Sequence, residues 1–375
     1  MAQVGPEIHE KLRRLIGRLG KDRRGVQIME ICGTHTMAIA RSGLRSLLPP
    51  TLRLVSGPGC PVCVTDQSYI DQAVRLAEGA CGVKPIVATY GDMVRVPGHE
   101  GCLAEARARG AEVEVVYSAD QAVQLAADRP DRQVVFLAVG FETTTPGTAL
   151  AVQRARRENI GNFSVLAAHK LVLPAMRALL AAGDVPIDAF LCPGHVSVIL
   201  GYEAYGPIVR EYQRPCVVAG FEPVQILRGL TAILEQLVEG QPAAVSVYPA
   251  VSAGGNAAAR RLMEEVFCTA DVPWRGLGVI RQSGLVLRGE YAPYDAVRRF
   301  NLPYVEGREM PGCRCGDVIC GRLLPADCPL FARRCTPRDP LGPCMVSSEG
   351  ACAASYKYDR QAVAAALAGT DGKKD

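Results

Sequence analysis

Short, nearly uninterrupted apolar runs recur along the first two-thirds of the chain. They read "GVQIMEI" (25–31), "TLRLVS" (51–56), "KPIVATY" (84–90), "AEVEVVYS" (111–118), "QVVFLAVG" (133–140), "NFSVLAA" (162–168), "IDAFLCPG" (187–194) and "CVVAG" (216–220). Runs of this length, rich in β-branched residues, predict strands buried on both faces, as in parallel sheets. Between most of them the apolar spacing changes to that of amphipathic helices, at 66–80, 144–158 and 222–240. Strand alternating with helix predicts βαβ units, hence an α/β fold of parallel, Rossmann-like sheets covered by helices. Asp66 and Ser118 stand where N-caps of the following helices belong.

The pattern then changes. A glycine-rich helix start at 252–267 and a strand-like run at 276–287 give way, after Leu302, to loops rich in Pro, Gly and Cys. The polar run "DRPDRQ" at 128–133 reads as a boundary. The expected organisation is an N-terminal helix over 1–24, α/β domains over 25–127 and 128–240, and a loop-rich, cysteine-bearing domain over 241–375. A "GFE" triplet ends two of the expected strands, at 140–142 and 220–222, suggesting a recurring strand–turn–helix design without a periodic repeat.

Chemistry-bearing residues collect where strands end. "CGTHT" follows 25–31, "GPGCPVC" follows 51–56, and "GDMVRVPGH" follows 84–90. "GFETTTP", "AAHK", "CPGH" and "AGFEP" close later strands in the same way. Ligands of open parallel sheets bind outside the carboxyl ends of the strands, so these turns share one functional edge. Cys32 and His35 can share a metal, or the imidazole can hold the thiol deprotonated; a buried cysteine beside a capping histidine is the plain alternative. Cys60 and Cys63 have C-x-x-C spacing, which suits a redox dithiol, two ligands of one metal, or a structural turn. No second C-x-x-C pair exists to complete an ordinary zinc site, which favours redox chemistry. Glu142, Thr143 and Thr144 form either a helix cap or a polar wall for a small anionic ligand. His169, Lys170 and His195 are similar strand-end residues, structural or ligand-binding.

Composition sharpens this picture. At 49% hydrophobic and 21% charged, the 375-residue chain is globular and long enough for more than one core. A net charge of +4 is too small to argue for a nucleic-acid partner. The first 20 residues are charged and lack an apolar signal core, and no run reaches the roughly 18 apolar residues of a membrane span. A cytoplasmic protein is expected. Fifteen cysteines there imply metal binding or thiol chemistry, not a disulfide framework. Seven of them fall at or after Cys313, where loops alone cannot bury a core and a metal can hold them together. Cys328, Cys335, Cys344 and Cys352 are separated by six, eight and seven residues, unlike zinc knuckles or the compact ferredoxin run. With no histidine beyond His195, a four-thiolate 4Fe–4S cluster is the economical reading. Cys313, Cys315 or Cys320 could replace one of the four. Cys81, Cys102, Cys216 and Cys268 receive no role.

"ICGTHT", "GPGCPVC", "VGFETTTP", "CPGHVSVI" and "LGPCMVSSEGACAA" together, in this order, resemble the HypD family of hydrogenase maturation factors. The resemblance implies two α/β domains and a third bearing a 4Fe–4S cluster, and a role in building the Fe(CN)2(CO) group of NiFe hydrogenases. It implies a small chaperone partner, HypC, and cyanide delivered by HypE from carbamoyl groups activated by HypF. Carried over, Cys32 helps hold the nascent iron centre, with His35 beside it. Cys60 and Cys63 are the redox pair between that iron and the cluster, and Glu142, Thr143, Thr144 and His195 line the cleft. Two other classes compete: an Fe–S dithiol oxidoreductase acting on a free substrate, and a zinc-stabilised binding module.

Overall fold

The computed structural model describes residues 4–19, 25–303, 307 and 310–368. The apolar runs form strands of two parallel sheets. The first has the order β2-β1-β7-β8-β9, built from β1 (Val26–Glu30), β2 (Leu52–Ser56), β7 (Ala189–Pro193), β8 (Cys216–Ala219) and β9 (Ala244–Ser246). The second has the order β4-β3-β5-β6, built from β3 (Ile86–Thr89), β4 (Glu112–Val115), β5 (Val134–Gly140) and β6 (Phe163–His169). All seven residues of β5 are buried, as its uninterrupted apolar pattern requires. An antiparallel hairpin of β10 (Phe267–Trp274) and β11 (Gly278–Leu287) packs on β6 and on the helix Val172–Ala182. Asp66 and Ser118 cap their helices, each accepting a backbone N–H.

Sheet membership does not follow the expected cuts in the chain. The boundary at 127/128 runs through the four-stranded sheet, because β3 pairs with both β4 and β5. The five-stranded sheet instead joins β1 to β7 in register Ile28↔Ala189. The cut at 240/241 separates β9 from β8, its neighbour through Cys216↔Ala244. A parallel strand takes its partner through a crossover, so the nearest strand in sequence need not be the nearest in space. Here the chain leaves the first sheet after β2, builds the whole second sheet, and returns. Segment 241–375 is divided accordingly. Its start completes one sheet and its hairpin covers the other. Its short cysteine-bearing helices, within 310–368, lie against the helices Gly33–Ser42 and Pro61–Val64.

Candidate functional site

At the end of β1 the chain turns through Cys32, the N-cap residue of Gly33–Ser42. The fully buried Glu30 holds this turn: its carboxylate accepts the Cys32 N–H at 3.1 Å and the Thr36 hydroxyl at 2.5 Å. Burial raises the Glu30 carboxyl to about 7, against the opposing pull of these hydrogen bonds. The loop after β2 comes alongside. Gly33 N–H donates to Gly59 O at 3.1 Å, and a Cβ on Gly59 would lie 2.1 Å from Cys32 N. Only glycine permits that approach. Cys60 then caps a single helical turn, Pro61–Val64, with proline at its first position. Cys60 and Cys63 are both buried and joined as a disulfide.

A cavity of about 260 Å³ opens between the carboxyl edges of the two sheets. Cys32, Thr143, Thr144, His195 and Glu349 line it, with Gly59 and Pro61 forming the wall in front of the disulfide. Residues from the ends of β1, β2, β5 and β7 therefore meet at one place, as the functional-edge argument anticipates. Burial pushes the Cys32 thiol up to about 12; the backbone N–H of His35 works against the shift, and the carboxylates of Glu349 and Glu30 add to it. Cys32 is thus a protonated thiol at neutral pH.

One expected cleft residue, Glu142, and the expected neighbour of Cys32, His35, point elsewhere. Glu142 is absent from the cavity wall; one oxygen accepts Val172 N–H at 3.0 Å, at the start of the helix Val172–Ala182. Its other oxygen is buried without a partner, and burial raises the carboxyl to about 7. His35 stands next to Cys32 in the chain, but its buried ring turns to Gly220 O, with Nε2 at 3.0 Å, and desolvation lowers its pKa to about 4. Phe221, from the second "GFE" triplet, has its ring 4.9 Å from that of His35 and 4.2 Å from that of His195. His169 and Lys170 line a different cavity.

Glu349 is the site residue that motif reading missed. Its carboxylate accepts the Thr34 hydroxyl at 2.6 Å, and its side chain covers Gly33, where an added Cβ would come within 2.6 Å. It stands just before the helix Ala351–Tyr358, where an acid reads as an ordinary helix-start residue. Its place beside Cys32, across more than 300 residues of chain, is a tertiary fact. Nearby, Ser347 donates to Asp92 Oδ2 at 3.0 Å, tying the "GDMVRVPGH" turn to the same segment.

The C-terminal thiols converge. Cys328, Cys335, Cys344 and Cys352 are buried, as is Cys315, whose Sγ lies 2.7 Å from Cys344 Sγ. Hydrogen bonds from the Cys313 and Cys344 thiols hold Cys315 well below the usual thiol range, whereas burial pushes Cys344 up. Burial pushes the Cys335 thiol up to about 11, and Leu341 N–H, donating to its Sγ at 3.3 Å, works against that shift. Cys313 is electrostatically linked to Cys315 and Cys328, and Cys335 to Cys352 and Cys328, so six thiols share one neighbourhood. Cys320 also feels the charge of Cys315, but its thiol donates to Gly276 O at 3.6 Å and, among the described residues, makes no hydrogen bond to another thiol. Among the described residues no three His, Cys, Asp or Glu side chains surround a point that could hold a single metal ion. The donor set still fits a polynuclear cluster: soft sulfurs, buried, with a backbone N–H aimed at one of them.

Taken together, the fold and the site define an α/β protein that lines up a cavity thiol, a disulfide-forming pair and a buried polythiol cradle. The chain matches the HypD family model, described as the hydrogenase formation hypA family, over residues 7–359. It is 46% identical to the hydrogenase maturation factor HypD of Azotobacter vinelandii, covering 93% of this chain and 94% of that protein. It is 44% identical to the HypD of Escherichia coli over 90% of each chain. A putative hydrogenase expression/formation protein of Methanocaldococcus jannaschii is 41% identical over 94% of this chain and 96% of its own length. The protein belongs to the HypD family.

Proposed function

We propose that this protein is a NiFe-hydrogenase maturation factor, a redox-active scaffold on which the Fe(CN)2(CO) centre is assembled. The supporting observation is the position of the helix Pro61–Val64. On one side its loop touches the Cys32 turn, and on the other it packs against the helices Cys315–Ile319 and Pro343–Val346, which carry Cys315 and Cys344. The reducible pair thus stands between the two thiol sites.

Cys32 offers a thiolate to the iron cargo, with a cysteine of a HypC-type chaperone as the second sulfur ligand. Low-spin iron carrying cyanide and carbonyl favours such soft donors. Thr143, Thr144 and His195 stand on the cavity wall, where the Thr143 hydroxyl and the His195 imidazole can donate to cyanide nitrogens, while the Thr144 hydroxyl donates to Phe141 O. A HypE-type donor brings cyanide as a thiocyanate. Its release balances as R–S–CN plus two thiols giving R–SH, cyanide, a proton and the Cys60–Cys63 disulfide. Cysteines among Cys328, Cys335, Cys344 and Cys352, or Cys315 in place of Cys344, would hold a 4Fe–4S cluster, which would supply single electrons. The disulfide takes up two electrons and two protons to become the dithiol again. Glu142 and His35 act from behind the wall, one on the Val172 helix start and the other on the Gly220 turn. Among the described residues no helix is long and apolar enough to cross a membrane. The free thiols fit a reducing, cytoplasmic setting.

The test is infrared spectroscopy of the oxygen-free complex with a HypC-type partner. Cyanide and carbonyl stretches are expected in the native complex and absent in Cys32→Ala, with iron–sulfide content unchanged. Stretches that persist in Cys32→Ala would remove Cys32 as the iron ligand. Turnover of a free thiol substrate by a protein that never carries these bands would favour the oxidoreductase reading.

A further inference from the structure

A second cavity, of about 180 Å³, opens at the carboxyl end of β6 and shares no lining residue with the Cys32 cavity. Lys170 and His169 stand on its wall beside Ser68, and Tyr69, Val272 and Leu285 give it apolar surface. Lys170 is 4% exposed. Its ammonium donates to Pro273 O at 2.8 Å and lies 5.5 Å from the centre of the Trp274 ring. Among the described residues no side chain accepts its other two N–H groups. Asp66, which also lines the cavity, uses Oδ1 to cap its own helix through Ser68 N–H and the Ser68 hydroxyl; its charge favours the Lys170 ammonium without forming an ion pair with it. His169 Nε2 lies 3.0 Å from Thr148 Oγ1 in a shared hydrogen bond, while its buried Nδ1 has no partner.

A desolvated ammonium is costly unless an anion or further acceptors complete its shell. A carboxylate satisfies both free N–H groups with its two oxygens, and one negative charge balances one positive. Tyr69, Val272 and Leu285 form the apolar part of the wall, which suits a short hydrocarbon body, while Asp66 elsewhere on the wall disfavours a ligand with a second negative charge. We propose that this cavity is a binding site for a short-chain monocarboxylate, its head on Lys170 and its tail against Tyr69, Val272 and Leu285. The site is independent of the assembly reading above.

A ligand with so few atoms binds weakly, with a Kd of about a millimolar. The experiment is therefore saturation-transfer NMR on propionate with the full-length protein. Methyl protons should receive saturation, and an equal concentration of inorganic phosphate should not abolish it. Lys170→Gln should reduce the effect by about tenfold or more, as expected for loss of a charge-assisted contact. If Lys170→Gln does not fold by circular dichroism, Val286→Phe decides, because it fills the apolar end of the cavity and leaves Lys170 in place. No transfer in the native protein, transfer undiminished in a folded variant, or complete displacement by phosphate overturns the assignment.

Discussion

Glu142 illustrates how burial sets chemistry at the scale of one residue. Its carboxyl is raised from 4.5 to about 7, chiefly by desolvation, which outweighs the Val172 N–H bond. Between those values the unfolded chain has lost this proton and the folded protein keeps it. Stability from this group is therefore full at acidic pH and falls as pH rises through the window. Glu142→Gln keeps an acceptor for Val172 N–H and removes the titration. At pH 8 the variant should gain stability, by at most about 3 kcal/mol, and at pH 4 it should match the native protein. Urea unfolding at the two pH values checks this; an equal effect at both would mean that packing, not ionisation, sets the difference. His169, lowered from 6.5 to about 4 by burial, has the opposite sign, adding stability as pH rises between those values. The residue types at these positions were legible in "GFETTTP" and "AAHK". Their orientation was not, because a side chain's direction at a strand end depends on which helix packs beside it.

At the scale of elements, local rules worked where the physics is local. Strands matched the apolar runs, Asp66 and Ser118 capped their helices, and "GPGCPVC" made a tight loop ending in a proline-led helical turn. The use of its glycines is tertiary. Gly59 admits the backbone of the Cys32 turn, so Gly59→Ala should force the two loops apart, since its Cβ would meet Cys32 N at 2.1 Å. The expected outcome is a folded protein destabilised by about 2–4 kcal/mol, with Cys32 alkylated faster by iodoacetamide. Native stability and unchanged Cys32 alkylation would show that the loop absorbs the methyl without moving. Glu349 belongs at this scale too, because an acid before a helix signals nothing until the helix docks over Gly33.

Across the whole molecule, the interleaving of the sheets brings the sites together. Because β1 and β2 sit in one sheet and β5 in the other, their carboxyl ends close on a shared cavity. The cysteine-bearing segment then packs behind the disulfide helix. Within that segment the thiols separate by position. Cys352→Ala should lose most of the iron and acid-labile sulfide of protein purified without oxygen. Cys320→Ala should keep both, since Cys320 faces Gly276 O. Of the close pair, whichever of Cys315→Ala and Cys344→Ala loses iron and acid-labile sulfide marks the residue that would hold the proposed cluster. Equal loss in Cys320→Ala and Cys352→Ala would contradict the arrangement.

The sequence by itself determined the α/β class, the strands, the caps and the reactive turns at strand ends, since each follows from hydrophobic period or from residues a few positions apart. Five motifs in order also sufficed to reveal the family. Only the tertiary structure decided which strands share a sheet, that Glu349 and not Glu142 faces Cys32, that the His35 ring turns to Gly220, and that six thiols gather while Cys320 stands aside. Each of those outcomes depends on contacts between segments far apart in the chain, where many pairings bury similar apolar area and only the packed whole selects one.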